Sequence, residues 1–558
     1  MSHLLTLHDP ARAREHYLSG VWQTDTMYSL ARRHATERGS AYAVRDGARR
    51  LSWSALVAWV DAVAADLHDA GLRRGDRVSV WLPNRLENVV VFLACSRNGY
   101  VCNPSLHQNY TVAEIEALLA RIDCRALFVQ PGYGADAATA DLFGRVADLR
   151  HLKRVYALPP LRTPDAPIPA GAHAMPEAGQ HARVPLPPAS THPDQIVYLA
   201  FTSGTTGTPK GVMHSDNTLL TNGRAMVEDW GQNHATVLLT LSPMSHHIGT
   251  VALEQILAAG CELVMHDASA GVGALDWIEQ TGATYVMGVP THAMDLLQEV
   301  DKRGLSKLGA VKVFYMAGAP IPTETARKLL SLGAKPQNVY GMTENGSHQY
   351  TKPSDPVEVI TSTCGKSCAG YEVRLWDPEY PDVEAAPGEV GEIGGRGGEL
   401  MLGYFNNQTA TETSFNSSGW FLSGDLGRFD ANGNLQIVGR KKDLIIRGGH
   451  NIHPAHIEEY AHRHPAVKKA AAFGVADERL GEKVCLAIIC QDQAPVPQEM
   501  LEHLAREGLS KFDMPEFYAV VKEFPLTPSG KILKRELMQW VANGRLQPEP
   551  VRYRAPAP

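Results

Sequence analysis

The sequence predicts an α/β fold: a large N-terminal domain of helix-covered, mostly parallel sheets, a small β-barrel-like subdomain, and a small α+β domain at the C-terminal end. Three observations predict it. Short apolar runs alternate with helical patterns over most of the chain, as in sheets covered by helices. From about Gly394 to Val438 the pattern changes to short strands separated by Gly, Asn and Ser turns. The chain has 558 residues, more than one hydrophobic core usually organises.

The elements follow in order. Arg77–Leu82 reads as a strand, Thr111–Ile122 as an amphipathic helix and Arg125–Val129 as the next strand. Further strands are expected at Ile196–Phe201, Val237–Leu241, Glu262–Met265, Tyr285–Val289 and Val311–Met316, with helical patterns between several of them. Residues 158–195 are rich in Pro and Ala and lack periodicity, so they read as a surface loop. A boundary is expected near Gly439–Asp443. It divides the chain into 1–440 and 441–558.

Composition narrows the function. The formal net charge is -7, which argues against a nucleic-acid binder relying on a basic surface. Eight cysteines are scattered without a C-x-x-C pair and read as reduced, buried thiols of a cytoplasmic protein. The N-terminal MSHLLTLHDPARAREHYLSG has no apolar core with a small-residue cleavage site, so no secretion signal is expected. No apolar run is long enough to span a bilayer.

The most informative segment is Tyr198–Met213, YLAFTSGTTGTPKGVM. An apolar strand runs into Thr202, Ser203, Gly204, Thr205, Thr206, Gly207, Thr208, Pro209, Lys210 and Gly211. Glycines let backbone N–H groups turn toward an anion, hydroxyls add donors, and a lysine supplies charge for phosphate. It is not a Walker loop; Gly365-Lys366-Ser367 has Ile360 where the first glycine belongs.

This loop resembles the signature of the adenylate-forming superfamily of acyl-CoA synthetases, peptide-synthetase adenylation domains and firefly luciferase. Further motifs follow in that family's order: Pro243–Gly249 (PMSHHIG), Gly318-Ala319-Pro320, Asn338–Glu344 (NVYGMTE), Gly391-Glu392-Ile393 through Gly403-Tyr404, Gly419–Asp425, Ile437–Asp443, Arg447–Pro454 and Pro525–Lys531. The resemblance implies ATP, Mg²⁺ and coenzyme A as cofactor and substrates beside a small carboxylic acid. It implies that Gly318, Ala319 and Pro320 pack on adenine, together with Asn338, Tyr340, Gly341 and Met342. Thr343 would contact the α-phosphate, Glu344 ligate Mg²⁺, and Asp425 bind the ribose. Ile437 and Arg440 would complete the nucleotide site. Lys442 falls on the interdomain hinge, about which the small domain would be mobile, and Lys531 on the catalytic lysine. Gly448, Gly449 and His450 fall on the loop lining the thiol tunnel. His246 falls on the ring that gates the acyl pocket, whose walls would include His247, Ile248, Val289, Gly318, Val339, Gly341 and Gly346. One departure is His456, where the family usually has glutamate; Glu458 is kept. Within the family, Gly288–His292, Gly341–His348 and Gly448–Pro454 look most like cyclohexanecarboxylate–CoA ligases.

Other readings remain. Aromatic and medium-chain acids are open, as is an amino-acid-type domain loading a carrier protein, although His247 stands where such domains commonly carry aspartate. A luciferase-type oxygenase and a non-catalytic nucleotide sensor share the scaffold. Gly132–Ala137 mimics a dinucleotide fingerprint, but Pro131 separates it from the preceding strand. His450, His453, His456, His462 and His464 lack metal-ligand spacing and read as a solvated face. Both a monomer and a homodimer are compatible with the sequence.

Overall fold

The computed structural model describes residues 4–47, 49–179, 185–202, 209–267, 271–319, 321–448, 450–490, 493–526 and 532–553, and of Asn451 the backbone alone. The chain forms two compact units. The first comprises Met1–Val373 and Gly395–Phe415, the second Arg374–Gly394 and Asn416–Pro558.

Two sheets build the first unit. The larger runs, from edge to edge, through Lys366–Ser367, Gly346–Tyr350, Lys335–Met342, Val313–Ala317, Tyr285–Gly288, Val237–Thr240, Glu262–Met265, Tyr42–Asp46 and Arg49–Ser52. From Lys335–Met342 to Tyr42–Asp46 every pairing is parallel; antiparallel strands close both edges. The central strands are apolar because helices cover them. Leu239, Val286, Phe314 and Met316 are buried against Leu275, Ile278, Leu296 and Leu329 of the covering helices. The second sheet runs Arg154–Ala157, Cys124–Val129, Arg77–Trp81, Val101–Asn103, Ile196–Thr202 and Lys210–Ser215. It is parallel except for its last pair, an antiparallel hairpin from Ile196 opposite Ser215 to Thr202 opposite Lys210, with a register shift between Ile196 and Tyr198.

The expected helix at Thr111–Ile122 forms over Val112–Arg121. Thr111 accepts from the Glu114 N–H while the Glu114 side chain reaches back to the Thr111 N–H, so two orphan donors are satisfied at once. Described residues between 158 and 195 form no helix or strand beyond one isolated bridge at His173. Gly132–Ala137 opens no helix, which removes the dinucleotide reading.

In the second unit lies most of a four-stranded sheet, Tyr371–Trp376, Gly391–Gly397, Phe421–Phe429 and Leu435–Arg440. Behind it a mixed sheet of six strands centres on Gly481–Cys490, which pairs along its length with Val467–Asp477. Ile457, Ala461, Leu501 and Leu504 cover that sheet. All eight cysteines are free thiols, and seven are buried. No helix among the described residues is long and apolar enough to cross a membrane.

Candidate active site

In open parallel sheets, ligands bind beyond the carboxyl ends of the strands. Four neighbouring strands of the larger sheet end in residues singled out from the sequence. Val237–Thr240 leads through Pro243 to His246 and His247, Tyr285–Gly288 to Val289, Val313–Ala317 to Gly318 and Ala319, and Lys335–Met342 carries Asn338–Met342 into the turn Thr343–Asn345. Residues up to a hundred positions apart therefore share one end of one sheet.

The turn is well braced. Met342 N–H donates to Asn345 Oδ1 at 3.2 Å, and Met401 N–H donates to the Glu344 carbonyl at 2.7 Å. Glu344 is only 9% exposed, and its Oε1 accepts from the Tyr404 hydroxyl at 2.9 Å. Burial and the Glu344 charge push the Tyr404 phenol well above its ordinary range, so it stays a donor. Lys210 lies over the Tyr404 ring, 4.7 Å from its centroid. The lysine ending the Gly/Ser/Thr loop and the carboxylate of the turn thus meet on one aromatic ring. That loop joins the two strands of the Ile196–Ser215 hairpin, closed by Thr202 opposite Lys210. Phe201 N–H donates to Ser105 Oγ at 2.7 Å, which ties the hairpin to the segment after Val101–Asn103. Ser203, Gly204, Thr205, Thr206 and Gly207 of the loop lie outside the described residues, as do Pro320, Gly449 and Lys531.

His246 caps the helix His247–Ala259, and its ring stacks on His107 with centroids 4.4 Å apart. Burial first, and then His246, lowers the His107 pKa to about 3, so this pair does not carry two charges at neutral pH. His107 Nδ1 and Ser245 Oγ lie 3.1 Å apart. His247 is held at 3.1 Å from the Tyr198 hydroxyl, and burial and the adjacent His214 lower its pKa to about 3. A neutral imidazole offers no negative charge to pair with a substrate ammonium.

Tyr340 packs edge-on against His348, centroids 5.4 Å apart. The Asn338 amide donates to the Ile360 and Thr363 carbonyls at 3.2 and 2.8 Å, so its hydrogens serve the fold. Of the three glycines expected to leave room for the acid, Gly318 is the least crowded among the described residues. Its nearest neighbour along a side-chain direction is Val289 Cγ1 at 3.9 Å. At Gly341 that direction runs into the Gly346 carbonyl of its own hairpin, and at Gly346, where φ is +62°, it meets the Asn222 side chain at 2.9 Å. Gly341 serves the close approach of two strands, and Gly346 the approach of Asn222 on the helix Asp216–Asp229. Ile248 lies partly buried in the first turn of its helix, and Val339 is buried.

A second set stands on the second unit. Asp425 and Arg440 are register partners on neighbouring strands, with Arg440 Nε 3.1 Å from Asp425 Oδ1. Ile437 lies on the same strand as Arg440, opposite Gly427. Lys441 Nζ pairs with Glu392 at 2.8 Å, and exposed Lys442 follows in a short 3-10 turn, Lys441–Asp443. Gly448, with φ +59°, turns the chain between Ile445–Arg447 and His450–Ile452 and donates its N–H to the Leu480 carbonyl at 2.7 Å. His450 Nε2 lies 3.0 Å from Asp513. An isolated bridge pairs Leu526 with Ile532 on either side of the segment that holds Lys531. Glu458 accepts from Ala472 N–H at 2.8 Å and pairs with Lys534 at 2.6 Å, so the retained glutamate braces the fold.

Sequence reasoning missed Tyr404 as a partner of Glu344, and His107 and His214 as partners of the candidate histidines. Tyr404 closes the motif run that begins at Gly391, but no local signal marks these partnerships, because each contact is made only on folding. No group of three or more His, Cys, Asp or Glu that could hold a metal ion occurs among the described residues. One buried carboxylate at the turn fits Mg²⁺, which takes one or two carboxylates and completes its shell with water and phosphate oxygens.

Comparison with known proteins identifies the family and the fold. The AMP-binding enzyme family matches residues 31–405, and the AMP-binding enzyme C-terminal domain matches residues 456–531. The chain is 28% identical to the medium-chain fatty-acid–CoA ligase of Escherichia coli (strain K12), over 95% of this chain and 93% of that one. It is 30% identical to the 2-hydroxy-7-methoxy-5-methyl-1-naphthoate–CoA ligase of Streptomyces carzinostaticus, over 96% of each. The crystal structure of ATP-bound MatB from Rhodopseudomonas palustris superposes with a TM-score of 0.78 at 27% identity, covering 94% of this chain and all of that one. The chain belongs to the AMP-binding enzyme family, among its ATP-dependent acid–CoA ligases.

Proposed function

We propose that the chain activates a compact alicyclic acid, such as cyclohexanecarboxylate, as its acyl-adenylate and transfers the acyl group to coenzyme A. The observation that carries the chemistry is the convergence of His246, Val289, Gly318 and Tyr340–Glu344 at the carboxyl ends of four adjacent strands. A carboxylate oxygen attacks the α-phosphorus of ATP and displaces pyrophosphate. The coenzyme A sulfur then attacks the acyl carbon, AMP leaves, and the thiol proton passes to solvent. Negative charge grows around the α-phosphate in the first step. The Thr202–Gly207 loop, Lys210, Thr343 and the Lys531 ammonium are the groups to stabilise it. Mg²⁺, held by Glu344 and phosphate oxygens, would supply further positive charge there. Asp425 and Arg440 take the ribose, with Ala319 and Tyr340 flanking adenine.

Residues 1–440 hold ATP and the acid. Residues 441–558 turn about Lys442, offering Lys531 for the first step and the Gly448–His450 loop for the second. The acid wall comprises His247, Ile248, Val289 and Val339, with Gly318, the least crowded of the three glycines among the described residues, giving breadth for a ring. The names of the two CoA-ligase relatives favour a medium-chain or aromatic acid as the second reading. Neutral His247 disfavours an α-amino acid. The test is pyrophosphate release with cyclohexanecarboxylate, octanoate and benzoate, followed by detection of the CoA thioester. Fastest release with cyclohexanecarboxylate, then thioester, is expected. Release with octanoate or benzoate alone would replace the substrate, and release without thioester would replace the acceptor.

A further inference from the structure

His214 stands on the strand Lys210–Ser215, buried behind the turn that carries Glu344. Its Nε2 lies 2.7 Å from the Thr343 carbonyl oxygen, and its Nδ1 lies 3.0 Å from Thr218 Oγ1. A carbonyl can only accept, so Nε2 carries the proton and Nδ1 accepts from the Thr218 hydroxyl. Burial lowers the His214 pKa to about 4, which keeps the ring neutral and the tautomer single at physiological pH. Thr218 is itself fixed in the first turn of the helix Asp216–Asp229, where its N–H donates to Ser215 Oγ. The ring is therefore anchored at its back by a helix start and aims one N–H forward.

That N–H meets the turn where strand pairing has lapsed. The ladder between Lys335–Met342 and Gly346–Tyr350 ends at Met342 opposite Gly346, so Thr343 and Glu344 lie beyond it. The other face of the His214 ring stacks on His247, with centroids 5.8 Å apart and planes 21° apart. His214 thus touches both the turn that carries Thr343 and Glu344 and a wall of the acid site.

We propose that His214 is a positioning residue, whose Nε2–H fixes the Thr343 carbonyl and so sets the Thr343–Glu344 turn against the His247 wall. It touches no substrate; it acts through Thr343 and Glu344, and the inference rests on their assignment to the nucleotide site. A side chain that fills the space without an N–H leaves the half-buried Thr343 carbonyl without this donor and loosens the turn at Thr343, while the bonds at Met342 and Glu344 remain. His247 keeps its hydrogen-bond partner Tyr198 in such a variant.

The experiment compares His214→Leu, His214→Gln and wild type by ATP–pyrophosphate exchange with Mg²⁺ and cyclohexanecarboxylate, octanoate or benzoate. Leu is expected to lower kcat by about ten- to a hundredfold, the range for a buried group that loses its partner, with the acid KM unchanged. Gln, which keeps an N–H donor, is expected to recover most of kcat, with thermal midpoints alike in the two variants. Equal losses in Leu and Gln, or a loss confined to the acid KM, would overturn the proposal. If wild type exchanges pyrophosphate with none of the three acids, the proposed function fails separately. The ring is then read by ¹⁵N NMR of histidine-labelled protein, assigned by the signal lost in His214→Gln. An Nε2–H tautomer supports the inference and an Nδ1–H tautomer ends it.

Discussion

Tyr404 donates its hydroxyl hydrogen to Glu344 across 2.9 Å, while Lys210 rests on the same ring. One phenol thereby links the Gly/Ser/Thr hairpin to the carboxylate expected to meet the metal. Tyr404→Phe keeps the ring for Lys210 and removes only the donor. A hydrogen bond to a charged group contributes about 1.5–3 kcal/mol, so adenylation is expected to fall by roughly ten- to a hundredfold. The Mg²⁺ dependence of pyrophosphate exchange should shift with it. Unchanged exchange at limiting Mg²⁺ would show that the hydroxyl does not orient Glu344.

A pH effect follows from Glu399. It is fully buried, its Oε1 lies 3.3 Å from the Cys368 sulfur, and burial raises its pKa from the ordinary 4.5 to about 8. Between these values the unfolded chain has lost a proton that the folded chain keeps. The native state binds more protons, so this contribution to stability is complete below pH 4.5 and is lost as pH rises to about 8. Glu399→Gln removes the titration. Denaturant unfolding at pH 5 and pH 8 should show the variant gaining on wild type with rising pH, by at most ~1.4 kcal/mol per pH unit. A constant difference between the two proteins would contradict the assignment.

Much of this fold can be read from apolar runs. Glu262–Met265 forms as expected, and the other predicted strands shift by one or two residues at their ends. The edge pair Tyr42–Asp46 and Arg49–Ser52 escapes notice because it is rich in charge. Arg50 pairs with Glu262 at 2.6 Å and Arg49 with Glu87 at 2.7 Å, partners that sequence proximity cannot supply. Lys335–Met342, KPQNVYGM, lacks a strand pattern; several of its polar groups meet distant ones, Asn338 N–H donating to Thr351 Oγ1 and Gln337 Oε1 accepting from the Tyr285 hydroxyl. The same reason hides His214, whose partner lies 129 residues away. Motif residues are legible as a set. The crowding of Gly341 by its own hairpin and of Gly346 by Asn222 is not, because a glycine in the sequence does not show what faces it.

The hinge carries its own test. Lys442 sits in a short 3-10 turn directly after the strand that bears Arg440. Lys442→Pro fixes φ and removes one N–H. Adenylation should remain measurable and thioester formation should collapse. Equal retention of both half-reactions would remove Lys442 from the hinge.

Lys531 is the side chain to lose first. Lys531→Ala should lower pyrophosphate exchange by ~2.7–4 kcal/mol, or about a hundred- to a thousandfold, the cost of deleting one donor aimed at transition-state charge. Transfer from pre-made acyl-AMP to coenzyme A should be nearly intact. A loss shared equally by both half-reactions would point to misfolding and a wrong assignment.

The central claim is that the acid is activated as an acyl-adenylate, and oxygen transfer tests it most directly. When the carboxylate attacks the α-phosphorus and the thiol later displaces AMP, one carboxylate oxygen leaves on AMP. The protein is incubated with ATP, Mg²⁺, coenzyme A and ¹⁸O-labelled cyclohexanecarboxylate, or whichever acid of the panel it turns over fastest, and the products are read by mass spectrometry. One ¹⁸O in the phosphoryl group of AMP, with unlabelled pyrophosphate, is the predicted result. Unlabelled AMP, or ¹⁸O in inorganic phosphate beside ADP, would contradict it.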